Sequence, residues 1–400
     1  MQLKEMNNKI FWSGILILIF LRMFMVLAVM LNYTSVPFFM DYFSVNGQEA
    51  SHGDKTVYFR LAKEIINSDI KQVSYRTPIG TPLYLVPYVW LWDAGNDKTH
   101  FAITRPTFLV NTFLFYFISI IIVCLIGREI FKKRIYGLAL GVLYVFSPWI
   151  FYFLDLSPYQ NHSFFINLMW LVSGLLTDSP SALLMYIVFY YALKFIKNEK
   201  LKMRDYVFYG FFWGLACLLR ESNAIFVFAT AYLMLRKINI KGIMISASVF
   251  ILVYTPQFIY NHFAHGSFLS NGKNALGSPW AGYHLFEKGT IAQDGITPEN
   301  YLYLLTVLDK YIPMLPLVLC FVIIFLTFSF FYIYKYRGRE YFYLIFLWIM
   351  PFTALYAAFN TGARAIRYWL PIIPQALIIM IFGFLFIFNI KKLIMKDDKK

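Results

Sequence analysis

Two kinds of side chain in this sequence are placed to do chemistry: carboxylates at the starts of apolar helices, and arginines that interrupt apolar runs. Asp54 opens "DKTVYFRLAKEII". In that stretch Val57, Tyr58, Leu61, Ala62, Ile65 and Ile66 fall at helical spacing, with Arg60, Lys63 and Glu64 on the opposite side. An acid near a helix N-terminus is held as an anion, and an anionic carboxylate can take a proton from a hydroxyl group. The same placement also serves as a plain helix cap. Asp178 in "LLTDSPSALL" has a similar dual reading. With Ser179 and Pro180 in the first turn it reads as an N-cap, and substrate contact is its second use.

The arginines suggest the complementary chemistry, because a guanidinium holds a phosphate through two parallel hydrogen bonds. Arg76 lies in "YRTPIGTPLYLVPY", whose prolines predict an irregular re-entry towards the membrane; a snorkelling interfacial role is the alternative. Arg220, in "LLRES", is flanked by apolar arms and should face a cavity or a partner, with Glu221 beside it for an ion pair. Arg364 and Arg367 in "GARAIRYWLP" stand three apart, on one face of a helix, with Tyr368 adjacent. They fit a phosphate clamp or interfacial anchors. The six histidines are scattered; His262 and His265 share a face if their stretch is helical, and His262 is kept as a substrate contact. None of the spacings is that of a metal site, and no metal ligand is assigned. The three cysteines all lie in apolar runs, which argues against a disulfide framework.

These residues have to be positioned by a membrane protein. The chain has 400 residues, 60% of them hydrophobic and only 14% charged, with mean hydropathy +0.59. Apolar stretches long enough to cross about 30 Å of hydrocarbon recur along it. The runs do not alternate, which excludes a β-barrel, so the expected class is an all-α polytopic bundle. The net charge of +15 is gathered in short basic runs between spans. That pattern reports insertion topology and contact with anionic lipid, not nucleic acid.

Taking the basic runs as cytoplasmic orders the chain. Lys4 and Lys9 place the N-terminus inside, before a span at about 10–31. An outer loop at about 32–106 follows, then spans at about 107–126 and 135–153 around "REIFKKR". Two apolar pieces at about 163–177 and 181–196 meet at "TDSPS", and two short arms meet at "RES". Each break is expected on the outside, with Arg220 and Glu221 near the outer leaflet. Spans at about 242–260, 311–333, 341–358 and 371–390 complete the chain, with a second outer loop at about 261–308 and a cytoplasmic C-terminus. The whole chain reads as one transmembrane domain with no separate soluble C-terminal domain. No internal repeat is visible, which speaks against common transporter plans.

In the order of its motifs the chain resembles the GT-C glycosyltransferases, particularly the protein O-mannosyltransferase and aminoarabinose-transferase branch. The matching features are Asp54, Tyr58 and Ala62 at four-residue spacing, "RTPIGTP", "SPW", "TDSPSALL", "YGFFWGLACLLRES" and "RYWLPIIP". The resemblance implies a GT-C-type helix bundle with amphipathic helices in the first outer loop. It implies transfer of a sugar from a polyprenyl-phosphate carrier to a glycan, lipid or protein acceptor on the outer face, with Asp54 as general base. It also implies that Arg76, Arg220, Arg364 and Arg367 contact phosphate or sugar. Lys55 stands where many relatives carry a second acid, so a divalent metal is possible without being indicated. The lean build is that of a prokaryotic cell-membrane protein. A polysaccharide polymerase or ligase would share the outer arginines but would not need an acid-bearing helix in the first loop; a membrane transporter of a lipid-linked or anionic substrate should show repeats or broken helices meeting at mid-membrane, whereas here the polar residues map to one face.

Overall fold

The computed structural model describes residues 7–33, 54–68, 78–92, 110–153, 178–197, 202–236, 240–265, 268, 315–358 and 370–397. Among them, twelve α-helices account for the architecture. They are α1 (Asn8–Tyr33), α2 (Asp54–Ile66), α3 (Gly80–Trp92) and α4 (Tyr116–Phe131), the last preceded by a π-turn at Val110–Phe115. Then come α5 (Arg134–Phe153), α6 (Asp178–Lys197) and α7 (Met203–Leu219), a 3-10 segment at Glu221–Phe226, and α8 (Val227–Arg236). The remaining four are α9 (Ile240–His265), α10 (Leu315–Arg337), α11 (Arg339–Ala358) and α12 (Ile373–Asp397). Among the described residues, six stretches are long and apolar enough to cross a membrane. The protein is an all-α, multi-pass integral membrane protein.

Glycines and aromatic rings set the packing. Gly127 and Gly137 let α4 and α5 close into a hairpin, whose far end is marked by the Tyr116–Tyr144 stack at 5.1 Å. Lys132, at φ 56, turns the corner between these helices, and Gly338, at φ 91, turns the one between α10 and α11. α7 and α9 run parallel: Tyr206 meets Ser246, Gly214 meets Val253, and Leu218 clusters with Tyr260. α8 returns between them.

These directions bring most of the basic runs together. Lys197 pairs with Glu129 at 3.0 Å, Arg337 donates to the Glu129 carbonyl at 3.0 Å, and Phe195 packs on Tyr206 near the start of α7. We call this the basic end of the bundle and its opposite the far end. α1 starts at the basic end, with Phe11 under Arg128, and passes Leu138 at Gly14 and Gly141 at Leu18.

Two local expectations change. The span placed at about 107–126 continues to Phe131, so Arg128 rides on a helical turn. A basic side chain near a helix C-terminus is favoured by the exposed carbonyls, which lets the helix outlast its apolar run. The proline-rich stretch is also more regular than expected, forming helix α3 from Gly80. Pro82 sits in the first turn, where no amide hydrogen is needed, and Pro87 is on the exposed side.

Candidate functional site

At the far end, α2 and the start of α3 dock on a break in the bundle. Leu61 and Ala62 of α2 are buried, in line with the stripe read from the sequence. Leu61 clusters with Ile79, Leu218 and Tyr260, with Ile65 and Tyr254 packed around them. Ala62 joins Leu85 and Val89 of α3. Thus one amphipathic helix grips both the Pro78–Pro82 turn and the end of α7.

Hydrogen bonds fasten that turn. The Ile79 amide donates to Gln257 Oε1 at 2.7 Å, and Gln257 Nε2 donates to Asn261 Oδ1 at 2.8 Å. The Thr81 hydroxyl donates to the Leu219 carbonyl at 3.3 Å. Gly80 lies so close to Leu218 that a β-carbon there would overlap its backbone carbonyl. Only glycine allows this approach.

Arg220 stands where α7 breaks. Its backbone is extended, at φ -156 and ψ 102, and its amide closes α7 on the Ala216 and Cys217 carbonyls at 2.9 and 3.1 Å. Asn223, fully buried, locks the break: its Nδ2 donates to Ser181 Oγ at 2.7 Å and to the Ala216 carbonyl at 2.8 Å. Trp213 Nε1 donates to the Asn223 carbonyl at 3.2 Å. Because Ser181 belongs to the first turn of α6, the same lock ties the helix that starts at Asp178 to the break. Next to Arg220, the half-buried Glu221 accepts a hydrogen bond from the Tyr254 hydroxyl. Glu64 of α2 and Glu221 both lie near the Tyr260 phenol.

The sequence-derived residues fare unevenly. Arg220 and Glu221 lie where α2, α3, α7 and α9 converge. Asp54 is the first helical residue of α2 and Asp178 the first of α6, but their side chains fall outside the described residues. Arg76, Arg364, Arg367 and Tyr368 fall outside them altogether, as do the apolar piece at 163–177 and most of both outer loops. His262 is at the far end of α9, exposed, its ring stacked on Phe268 at 4.4 Å. Its neighbour Asn261 is the residue tied to Gln257. Among the described residues, no group of three or more His, Cys, Asp or Glu is placed to hold a metal.

Three participants were not singled out from the sequence. Glu64 was assigned to the polar side of α2, yet it is half-buried and faces Tyr260. The correction is geometric: Glu64 is three residues beyond Leu61, on the edge of the apolar stripe, and α9 covers that edge. Gln257 follows the in-helix Pro256 inside an apolar span, where an amide is unusual. Arg22 lies within the first span.

Arg22 is 0% exposed. Its guanidinium carbon sits 4.4 Å from the Tyr116 ring centre. Tyr116 donates to the Tyr144 carbonyl at 3.2 Å, Tyr144 packs edge-on against Tyr186 at 5.8 Å, and Tyr186 donates to the Leu370 carbonyl at 2.5 Å. None of the Arg22 side-chain nitrogens has a hydrogen-bond partner among the described residues. An unsatisfied buried donor costs about 1–3 kcal/mol, and more when it is charged. A charge inside a span was itself a signal for function.

Comparison with known protein families, curated proteins and solved structures returns no match.

Proposed function

We propose that the protein is a membrane glycosyltransferase that takes a sugar from a polyprenyl-phosphate carrier and passes it, with inversion, to an acceptor hydroxyl on a glycan, lipid or protein. The observation that carries this reading is the docking of the Asp54-bearing helix and the Pro78–Pro82 turn onto the Arg220–Glu221 break. That docking joins three motifs far apart in the chain: an acid-led helix, a proline turn preceded by Arg76, and an arginine at a helix break.

In this reading the far end faces outward, the basic runs lie in the cytoplasm with both termini, and the membrane is a prokaryotic cell membrane. Asp54 takes the proton of the acceptor hydroxyl as its oxygen attacks the anomeric carbon in line. The bond to the carrier phosphate breaks, and the phosphate leaves with the electron pair. A lipid phosphate is a good leaving group and needs no proton; Arg220, with Arg76, Arg364 and Arg367, stabilises its charge. Neighbouring tyrosines and phenylalanines suit both the isoprenoid tail and sugar faces.

The test is transfer of radiolabelled sugar from polyprenyl-phosphate donors in membranes holding the parent protein or Asp54→Asn. Label should reach an acceptor with the parent and fall by about a hundredfold or more in the variant, the range for loss of a general base. Equal transfer by both, or use of no donor by the parent, overturns the reading.

A further inference from the structure

The dock at the far end leaves unexplained the most deeply buried charge among the described residues. Arg22 is roughly 16 Å along α1 from Phe11, well past the basic end. Tyr116 covers one face of its guanidinium, so the N–H groups point outward around the rim of that plane. Those donors meet no acceptor among the described residues. The surroundings named by packing are Tyr116 and Tyr144, which bring phenols but no carboxylate. A guanidinium cannot shed its charge as a lysine can, and it cannot reach water from here.

The position has a second property: α1 is a rim helix. It packs on α4 and α5, while Trp12, Leu16, Ile17, Phe20 and Phe24 are exposed, as lipid-facing residues would be. Two of these, Phe20 and Phe24, bracket Arg22 in sequence. The charge is thus one helix thickness from lipid, walled on the inner side by aromatic rings.

We propose that Arg22, with Tyr116 and Tyr144 beside it, forms a binding site for a phosphate-type oxyanion inside the far half of the bundle. Tetrahedral oxyanions match the guanidinium rim with two parallel N–H···O bonds, while the Tyr116 and Tyr144 rings wall the site and keep water from it. The phosphate is either the headgroup of a lipid entering beside α1 or a free ion. This site does not depend on the transferase reading, since it concerns binding and involves neither Asp54 nor Arg220.

The experiment follows thermal unfolding of the purified full chain in nanodiscs, as the parent and as Arg22→Gln and Arg22→Lys. Each is titrated with inorganic phosphate, polyprenyl monophosphate and uncharged polyprenol. For the parent, a ligand that binds the folded state raises the unfolding temperature in a concentration-dependent way. Stabilisation by polyprenyl monophosphate alone that is lost in Arg22→Gln assigns the site to a lipid headgroup; stabilisation by inorganic phosphate lost in the same variant also admits the free ion. Arg22→Gln should weaken binding by about 10- to 100-fold, with Arg22→Lys in between. Native mass spectrometry of Arg22→Lys beside the parent, reading retained polyprenyl monophosphate against polyprenol, gives a result where Arg22→Gln fails to fold. The proposal is overturned if neither phosphate form stabilises the parent more than polyprenol does, or if Arg22→Gln binds as tightly as the parent.

Discussion

The two ends of the bundle treat positive charge in opposite ways. At the basic end, Glu129 bridges Arg128 and Lys197, each at 3.0 Å, and its carbonyl receives Arg337. Lys194 lies over the rings of Tyr190 and Tyr191 at 4.9 and 4.6 Å. One acid there laces α4, α6 and α10 together. At the far end, Arg22 is buried deeper and has a ring face but no acceptor among the described residues, while Arg220 marks a helix break held by Asn223. Where the chain supplies its own counter-charge, the charge clamps helices and sets their direction. At Arg22, where no acceptor stands among the described residues, the guanidinium is left open to the oxyanion proposed above.

Substitutions at the two ends should therefore differ in kind as well as in size. The largest effect on stability is expected from Gly80→Ala, whose β-carbon would meet the Leu218 carbonyl, an atom that cannot swing aside. Displacing the turn should cost about 1–3 kcal/mol of stability. On the proposed function it should also lower sugar transfer at least about tenfold per folded molecule, since small misplacements at a reacting centre are expensive. Unchanged transfer and unfolding temperature would show that the dock positions nothing. Glu129→Gln comes next. It removes the hub of the basic end and should cost about 1 kcal/mol, given its partial exposure. Transfer per folded molecule should stay at the parent level, and a selective loss of transfer would erase the distinction between the ends. Lys197→Ala is expected to be nearly silent, within about 0.5 kcal/mol by thermal unfolding, because its side chain is 62% exposed.

The membrane class, six of the spans and the gathering of most basic runs could be read from the sequence. Apolar length and Lys/Arg spacing report directly on partition between lipid and water. The break at Arg220 was legible for the same reason, as a charged pair between two arms too short to ignore it. What escaped were facts of three-dimensional coverage. Glu64 sits at the edge of a stripe, and only the arrival of Tyr260 from nearly two hundred residues away decides which side of that edge is inside. The helix through Pro82 and Pro87 depends on the carbonyl and amide partners that α7 and α9 offer to Ile79 and Thr81. A propensity scale sees the prolines and not the partners. Arg22 was visible and was passed over, because averaging across a span hides a single charge.

That charge also bears on how the chain is made. Arg22 emerges from the ribosome long before Tyr144, about 120 residues later. At about 5–20 residues per second, the interval is on the order of ten seconds. Until Tyr116 follows, about 94 residues after Arg22, α1 carries a charge that the insertion machinery penalises by about 2.5–3.5 kcal/mol near a helix centre, with neither tyrosine yet available to cover it. The final seating of α1 therefore depends on two helices translated after it: the apolar length of α1 offsets the charge at first, and the α4–α5 hairpin covers it later.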